Sequence, residues 1–190
     1  MKAARAVLNL VVTAFLLFAA DDATAQTVTE GEAATLDQLL TELKTADAED
    51  SVVIEQDIWR LWSHSGSAAM DLLLDRGRTA MDQGDMEAAL DHLTALTDHA
   101  PDFAEGWNAR ATVYFHAGRY GQSVADLEHA LALNPRHFGA LAGFGAILEQ
   151  LDRKPQALEV YRAALAIHPH MQTVLEAVKR LEAEIAGRSI

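Results

Sequence analysis

The chain has 190 residues, half of them hydrophobic, so it is long enough to bury a substantial core. It contains no cysteine, which excludes disulfides, thiolate metal sites, cysteine nucleophiles and a lipid-modified cysteine anchor. Twenty-eight acidic against 15 basic residues give a net charge of −13, a balance that argues against nucleic acid as partner, because phosphate binding needs clustered Lys and Arg.

Residues 1–25 carry the marks of an export signal. Lys2 and Arg5 give a positive start, Ala6 to Ala20 form an apolar run, and Ala23-Thr24-Ala25 supplies a small-x-small cleavage pattern that predicts a mature start at Gln26. The run of 15 residues is shorter than the roughly 20 that span a bilayer. The alternative is an uncleaved membrane anchor. Residues 26–67 form an acidic leader, with nine acids against two bases. Residues 26–34 lack a periodic apolar face and read as a flexible segment. From Thr35, a candidate cap, Leu36, Leu39, Leu40 and Leu43 share one helical stripe. After an acidic break at Ala46 to Asp50, a second helix places Ile54, Ile58, Leu61 and Trp62 on one face with Trp59 beside it. Ser63-His64-Ser65-Gly66-Ser67 marks a joint.

Residues 68–171 repeat one pattern three times. Pro101, Pro135 and Pro169 stand 34 residues apart. In step with them run Leu73, Gly77, Ala89 and Leu93, then Trp107, Ala111, Ser123 and Leu127, then Leu141, Gly145, Ala157 and Tyr161. Each proline ends a helix. Gly84 and Gly118 suit the left-handed position between the two helices of a copy, whereas the third copy uses Leu151-Asp152-Arg153-Lys154 followed by Pro155 at the next helix start. Small residues let paired helices approach, and large ones, Trp107 among them, fill the space between copies. Beyond residue 171, Val174, Leu175, Val178, Leu181 and Ile185 make the single stripe of a capping helix over residues 172–190, which Gly187 is expected to end.

The 34-residue period with this order of residues resembles the tetratricopeptide repeat, a pair of antiparallel helices stacked into a solenoid. The resemblance implies an all-α solenoid of three helix pairs, with two N-terminal helices and a C-terminal cap. It also implies a concave surface that binds another polypeptide. In members that hold a C-terminal carboxylate the groove carries Lys, Arg and Asn; here only Arg78 and Asn108 resemble that clamp, and Asp71, Glu105 and Glu149 oppose an anionic ligand. The mature chain is similar to exported alphaproteobacterial tetratricopeptide proteins of undefined role, through Ile58-Trp59-Arg60-Leu61-Trp62-Ser63, Glu105-Gly106-Trp107-Asn108-Ala109-Arg110 and Asn134-Pro135-Arg136-His137-Phe138-Gly139.

Chemistry is hard to assemble from these residues. His168-Pro169-His170 is the nearest histidine pair and has no third ligand at metal spacing, and the other six histidines fall mostly on expected exposed faces or turns. No metal, cofactor or catalytic constellation is expected. The candidate partner-binding groove comprises Arg78, Asn108, Thr112, Phe115, His116, Ala142, Gly143, Ala146 and Gln150, with Leu74 and Met81 contributing to an apolar floor. Asn108 either meets a bound peptide backbone or bonds a neighbouring helix. Gly139 and Gly143, inside a helix but outside the repeat's small positions, are expected on that concave side. The expected function is a non-catalytic adaptor or assembly factor of the bacterial periplasm that takes a peptide or helix of unknown identity. A self-associating scaffold and a cofactor carrier or enzyme are the other classes. The two N-terminal helices either fold back over the groove or extend the solenoid at its end.

Overall fold

A computed structural model describes residues 30–187; the expected signal sequence and its cleavage site lie outside them. Nine α-helices make up this region: α1 (Glu30–Leu43), α2 (Ala48–Trp62), α3 (Ala68–Asp82), α4 (Met86–His99), α5 (Ala104–His116), α6 (Tyr120–Leu133), α7 (Phe138–Gln150), α8 (Lys154–Ile167) and α9 (Gln172–Gly187). Helices α3/α4, α5/α6 and α7/α8 are the three expected pairs.

The pairs close where the small residues stand. Ala89 and Ala157 are fully buried, Ala111 is 1% exposed, and the buried Ser123 donates its hydroxyl to the Ala111 carbonyl at 2.7 Å. Gly77 and Gly145 leave no room for a side chain. A Cβ at Gly77 would lie 2.5 Å from Cγ of Leu93, and one at Gly145 2.5 Å from Cε1 of Tyr161. In the turns, Gly84 and Gly118 adopt φ of +80° and +69°, and in the third copy Asp152 takes φ +54° at the equivalent place. Pro155 falls in the first turn of α8.

Apolar burial is divided into three clusters. Leu74, Leu93, Leu96, Phe103 and Val113 fill the first repeat and its junction with the second. A larger cluster runs from Ala111 through Leu141, Phe144 and Tyr161 to Leu181 of the capping helix. The third joins Leu36, Leu40, Leu43, Ile58 and Trp62 of the N-terminal hairpin to Phe138, Ile167 and Met171 of the last repeat.

Several expectations are corrected. Helix α1 already includes Glu30, so residues 30–34 are helical rather than a flexible leader, and Thr35 lies inside the helix with its hydroxyl donating to the Gly31 carbonyl. The acidic break is shorter than expected. Asp47 caps α2 by accepting from the Glu49 and Asp50 N–H groups at 3.0 and 2.9 Å, so these two acids open the helix and favour its N-terminal dipole. Leu74 is buried in the first repeat's core, not on the groove floor. Trp107 is only half-buried: its Nε1 donates to the Pro101 carbonyl at 2.8 Å and its ring lies 4.2 Å from His129.

Candidate functional site: the concave face and its occupant

The first helix of each pair, α3, α5 and α7, lines one side of the solenoid. Across these helices runs a polar chain that is buried at Glu105 and His137. The Arg78 guanidinium donates to Oε1 of Glu105 and, at 3.0 Å, to Oγ of Ser63. Glu105, 2% exposed, pairs through Oε2 with Nε2 of His137 at 2.7 Å. The His137 Nδ1 accepts the Ala140 N–H at 3.1 Å, capping α7. Because an amide can only donate, Nδ1 is unprotonated and Nε2 carries the proton it gives to Glu105. Asn108 donates from Nδ2 to Glu105 Oε2 at 3.1 Å. Burial alone pushes the Glu105 carboxyl up, but the His137 hydrogen bond and the charge of Arg78 outweigh it and hold the group below its ordinary value.

This polar chain is roofed by α2. The Trp62 ring stacks on His137, with 4.3 Å between centres and 23° between planes, and meets Phe138 at 4.9 Å. Trp59 meets the edges of His137 and Phe138 at 5.5 and 5.6 Å, and its Nε1 donates to Glu55. Gly139 is the seat for Trp59: a Cβ there would stand 2.6 Å from Cη2 of the indole. Two histidines complete the junction. His168 is 2% exposed and pairs through Nε2 with Glu55 at 3.2 Å, and His170 donates from Nε2 to the Ala46 carbonyl at 2.9 Å. The N-terminal hairpin therefore folds back across the concave side and reaches the third repeat.

The fold-back covers one end of the expected groove. Arg78 and Asn108 are occupied inside the protein, and Thr112 donates its hydroxyl to the Asn108 carbonyl. A cleft of about 190 Å³ remains between Trp59 and the lining residues Arg78, Met81, Glu105, Asn108, Ala109 and Thr112. Towards the C-terminal ends of α5 and α7, Phe115, Ala142, Gly143 and Ala146 are half-buried, while His116 and Gln150 are exposed. Gly143 has only Leu127 near its missing Cβ, at 3.8 Å, so nothing seats on it as Trp59 does on Gly139.

The three acids expected to repel an anionic ligand are all satisfied internally. Asp71 accepts from the Ser65 N–H and hydroxyl, Glu149 accepts from Arg180 and Tyr161, and Glu105 is held as described. His137 is buried, unlike the exposed positions expected for most of the scattered histidines, and His168 at the proline turn is buried as well. The signal for these contacts was a glycine without a repeat role, Gly139, together with two large apolar residues outside the repeats, Trp59 and Trp62. Among the described residues no group of three or more His, Cys, Asp or Glu is arranged to hold a metal, and no helix is long and apolar enough to cross a membrane.

Stacked antiparallel helix pairs with small residues at the pairing positions and a concave face define a helical-repeat interaction scaffold. The sequence pattern of the tetratricopeptide repeat family matches residues 74–127 and 117–171, and the chain belongs to that family. A TPR repeat-containing protein of Rhizobium etli is 39% identical over 153 residues, 80% of this chain and 75% of that protein. Superkiller complex protein 3 of Homo sapiens is 31% identical over 109 residues, which are 56% of this chain and only 6% of that protein. Among solved structures, the first TPR of Spaghetti bound to an HSP90 peptide superposes with a TM-score of 0.61 at 23% identity, covering 63% of this chain and 98% of that one. The Sgt2 TPR domain from Aspergillus fumigatus gives 0.61 at 19% identity, with coverage of 65% and 83%. These likenesses concern the fold.

Proposed function

We propose that the chain is an exported adaptor or assembly factor of the bacterial periplasm, without catalytic activity, that takes a helix or peptide of another protein on its concave side. Tetratricopeptide domains are protein–protein interaction modules, and the structures bound to HSP90 and HSP70 peptides give examples of such binding for those proteins. The observation that carries the reading is the concave face itself: it already holds a helix, with Trp59 on Gly139 and Trp62 on His137. Beyond that helix, Thr112, Phe115, Ala142, Gly143 and Ala146 are still partly exposed on the same helices. The export signal read from residues 1–25 supports the address.

The test is proximity labelling in the native envelope, with wild type compared with a Phe115→Glu, Ala146→Glu double variant. Loss of a specific set of neighbours in the variant supports the groove. An identical set in both places the binding on another face. Intact mass of the exported protein tests the address, with removal of residues 1–25 expected.

A further inference from the structure

The hairpin α1–α2 meets the repeats differently from the way the repeats meet one another. Helix pairs within the repeats close on small buried residues such as Ala89, Ser123 and Ala157. Helix α2 instead inserts large side chains, Ile58, Trp59 and Trp62, and the repeat side offers Phe138, His137 and the bare backbone of Gly139. That is how a groove receives an amphipathic helix. The hairpin is tied to α3 through Ser63-His64-Ser65-Gly66-Ser67, where Gly66 takes φ +82°.

Two polar ring nitrogens are also enclosed in this docked interface. The Trp62 Nε1 donor and the His168 Nδ1 acceptor are both buried at this junction without a hydrogen-bond partner among the described residues. A buried polar group left unpaired opposes the docked state. Simple departure of the hairpin would nevertheless expose Trp62, Phe138 and His137, all at or below 1% exposure. Replacement by another helix would keep these surfaces covered, whereas simple release would not.

We propose that Glu105, His137, Phe138 and Gly139 form a seat for an amphipathic helix bearing two aromatic side chains one turn apart, that α2 is its resident occupant, and that a partner helix of this chemistry exchanges with it. The proposal rests on the groove-binding reading and adds its ligand class and its regulation. The first aromatic lies over Gly139 and the second, three residues on, over His137. An acidic residue four positions before the first faces His168, as Glu55 does. The junction residues 63–67 carry the displaced hairpin.

The probe is a labelled peptide of residues 48–62, added to the full chain and followed by fluorescence anisotropy. Resident α2 keeps the seat filled, so binding to the wild type is weak; apparent affinity falls in proportion to the open fraction. A chain with Trp59→Ala and Trp62→Ala should bind the peptide at least about 10-fold more tightly, since its own α2 no longer competes. Adding Gly139→Leu should abolish that binding, and a peptide without the two tryptophans should not bind. No binding to the double variant, with its repeats still helical by circular dichroism, overturns the proposal. Binding indifferent to Gly139→Leu overturns it equally. Should the double variant fail to fold, hydrogen exchange of the wild type decides. Residues 48–62 must exchange at least about 10-fold faster than residues 138–150, and equal protection overturns the idea. Dimers of the wild type that vanish in the Gly139→Leu chain would assign the seat to a second copy's hairpin and overturn the partner-helix assignment. A native partner that labels wild type and Gly139→Leu alike preserves the adaptor function while removing the exchange, so the two readings fail separately.

Discussion

Trp62 and His137 lie face to face, and the imidazole in that stack is fixed at both nitrogens, by the Ala140 N–H on one side and the Glu105 carboxylate on the other. The indole thus packs on a surface that cannot rotate away to fill a gap. Trp62→Ala is expected to remove about 3–5 kcal/mol from the docking of the hairpin. Circular dichroism should show an early melting phase from α1 and α2, with the repeats melting later. Trp107→Ala removes a half-buried ring resting on His129, and about 1–2 kcal/mol in a single melting transition is expected.

Two glycines in α7, two positions apart, should respond in opposite senses. Gly145→Ala pushes a methyl into the buried Tyr161 ring, and about 1–3 kcal/mol of overpacking is expected to exceed the gain in helix propensity. Gly143→Ala meets only ordinary contact with Leu127 and should gain up to about 1 kcal/mol from propensity. Chemical denaturation of both variants checks the pair; the same sign for both would contradict the packing.

Acid should loosen the groove through Glu105. Its folded carboxyl stays ionised below the ordinary value of 4.5, so its contribution is complete above that pH and is lost as the pH falls through the lower, folded value. Glu105→Gln should lower the denaturation midpoint at neutral pH and flatten the fall in stability below about pH 4.5. A wild-type and a variant curve that run parallel in acid would remove Glu105 from the explanation.

The second repeat is pinned by Arg110. Its guanidinium donates twice to the buried Asp126 carboxylate, at 2.7 and 2.8 Å, and once to Thr97 at 2.7 Å, tying α4, α5 and α6 together. Lysine keeps the charge without the planar fork. Arg110→Lys is expected to lose about 1.5–3 kcal/mol by denaturant titration. A loss no larger than that of an exposed arginine such as Arg60 would show the fork to be dispensable.

The repeats were legible because each is local: Pro101, Pro135 and Pro169 close helices within their own copies, and Gly77 faces Leu93 only 16 residues on. The hairpin's destination was not. Ile58, Trp59 and Trp62 announce an apolar face, and such a face fits the open end of a solenoid as well as its groove. Only Gly139 held a clue, a helix-interior glycine with no repeat duty. The burial of Glu105, His137 and His168 was equally hidden, because each charge or ring is satisfied by a residue far away in the chain. Asn108 bonds Glu105 on its own helix, a partner the sequence did not disclose.

A solenoid held only between neighbours frays from either end, and its coil can stretch like a spring. Here Glu55 reaches His168, 113 residues on, and His170 returns to Ala46 across 124. Those two bonds turn a line of interactions into a closed circuit. With the circuit shut, the last repeat cannot peel away without disturbing the first helices, and the pitch of the coil is set from both ends. Such long-range closures form late in folding, since the chain between them must first be ordered. Opening the clasp would leave the last repeat held by its neighbours alone, as in a solenoid without such a closure.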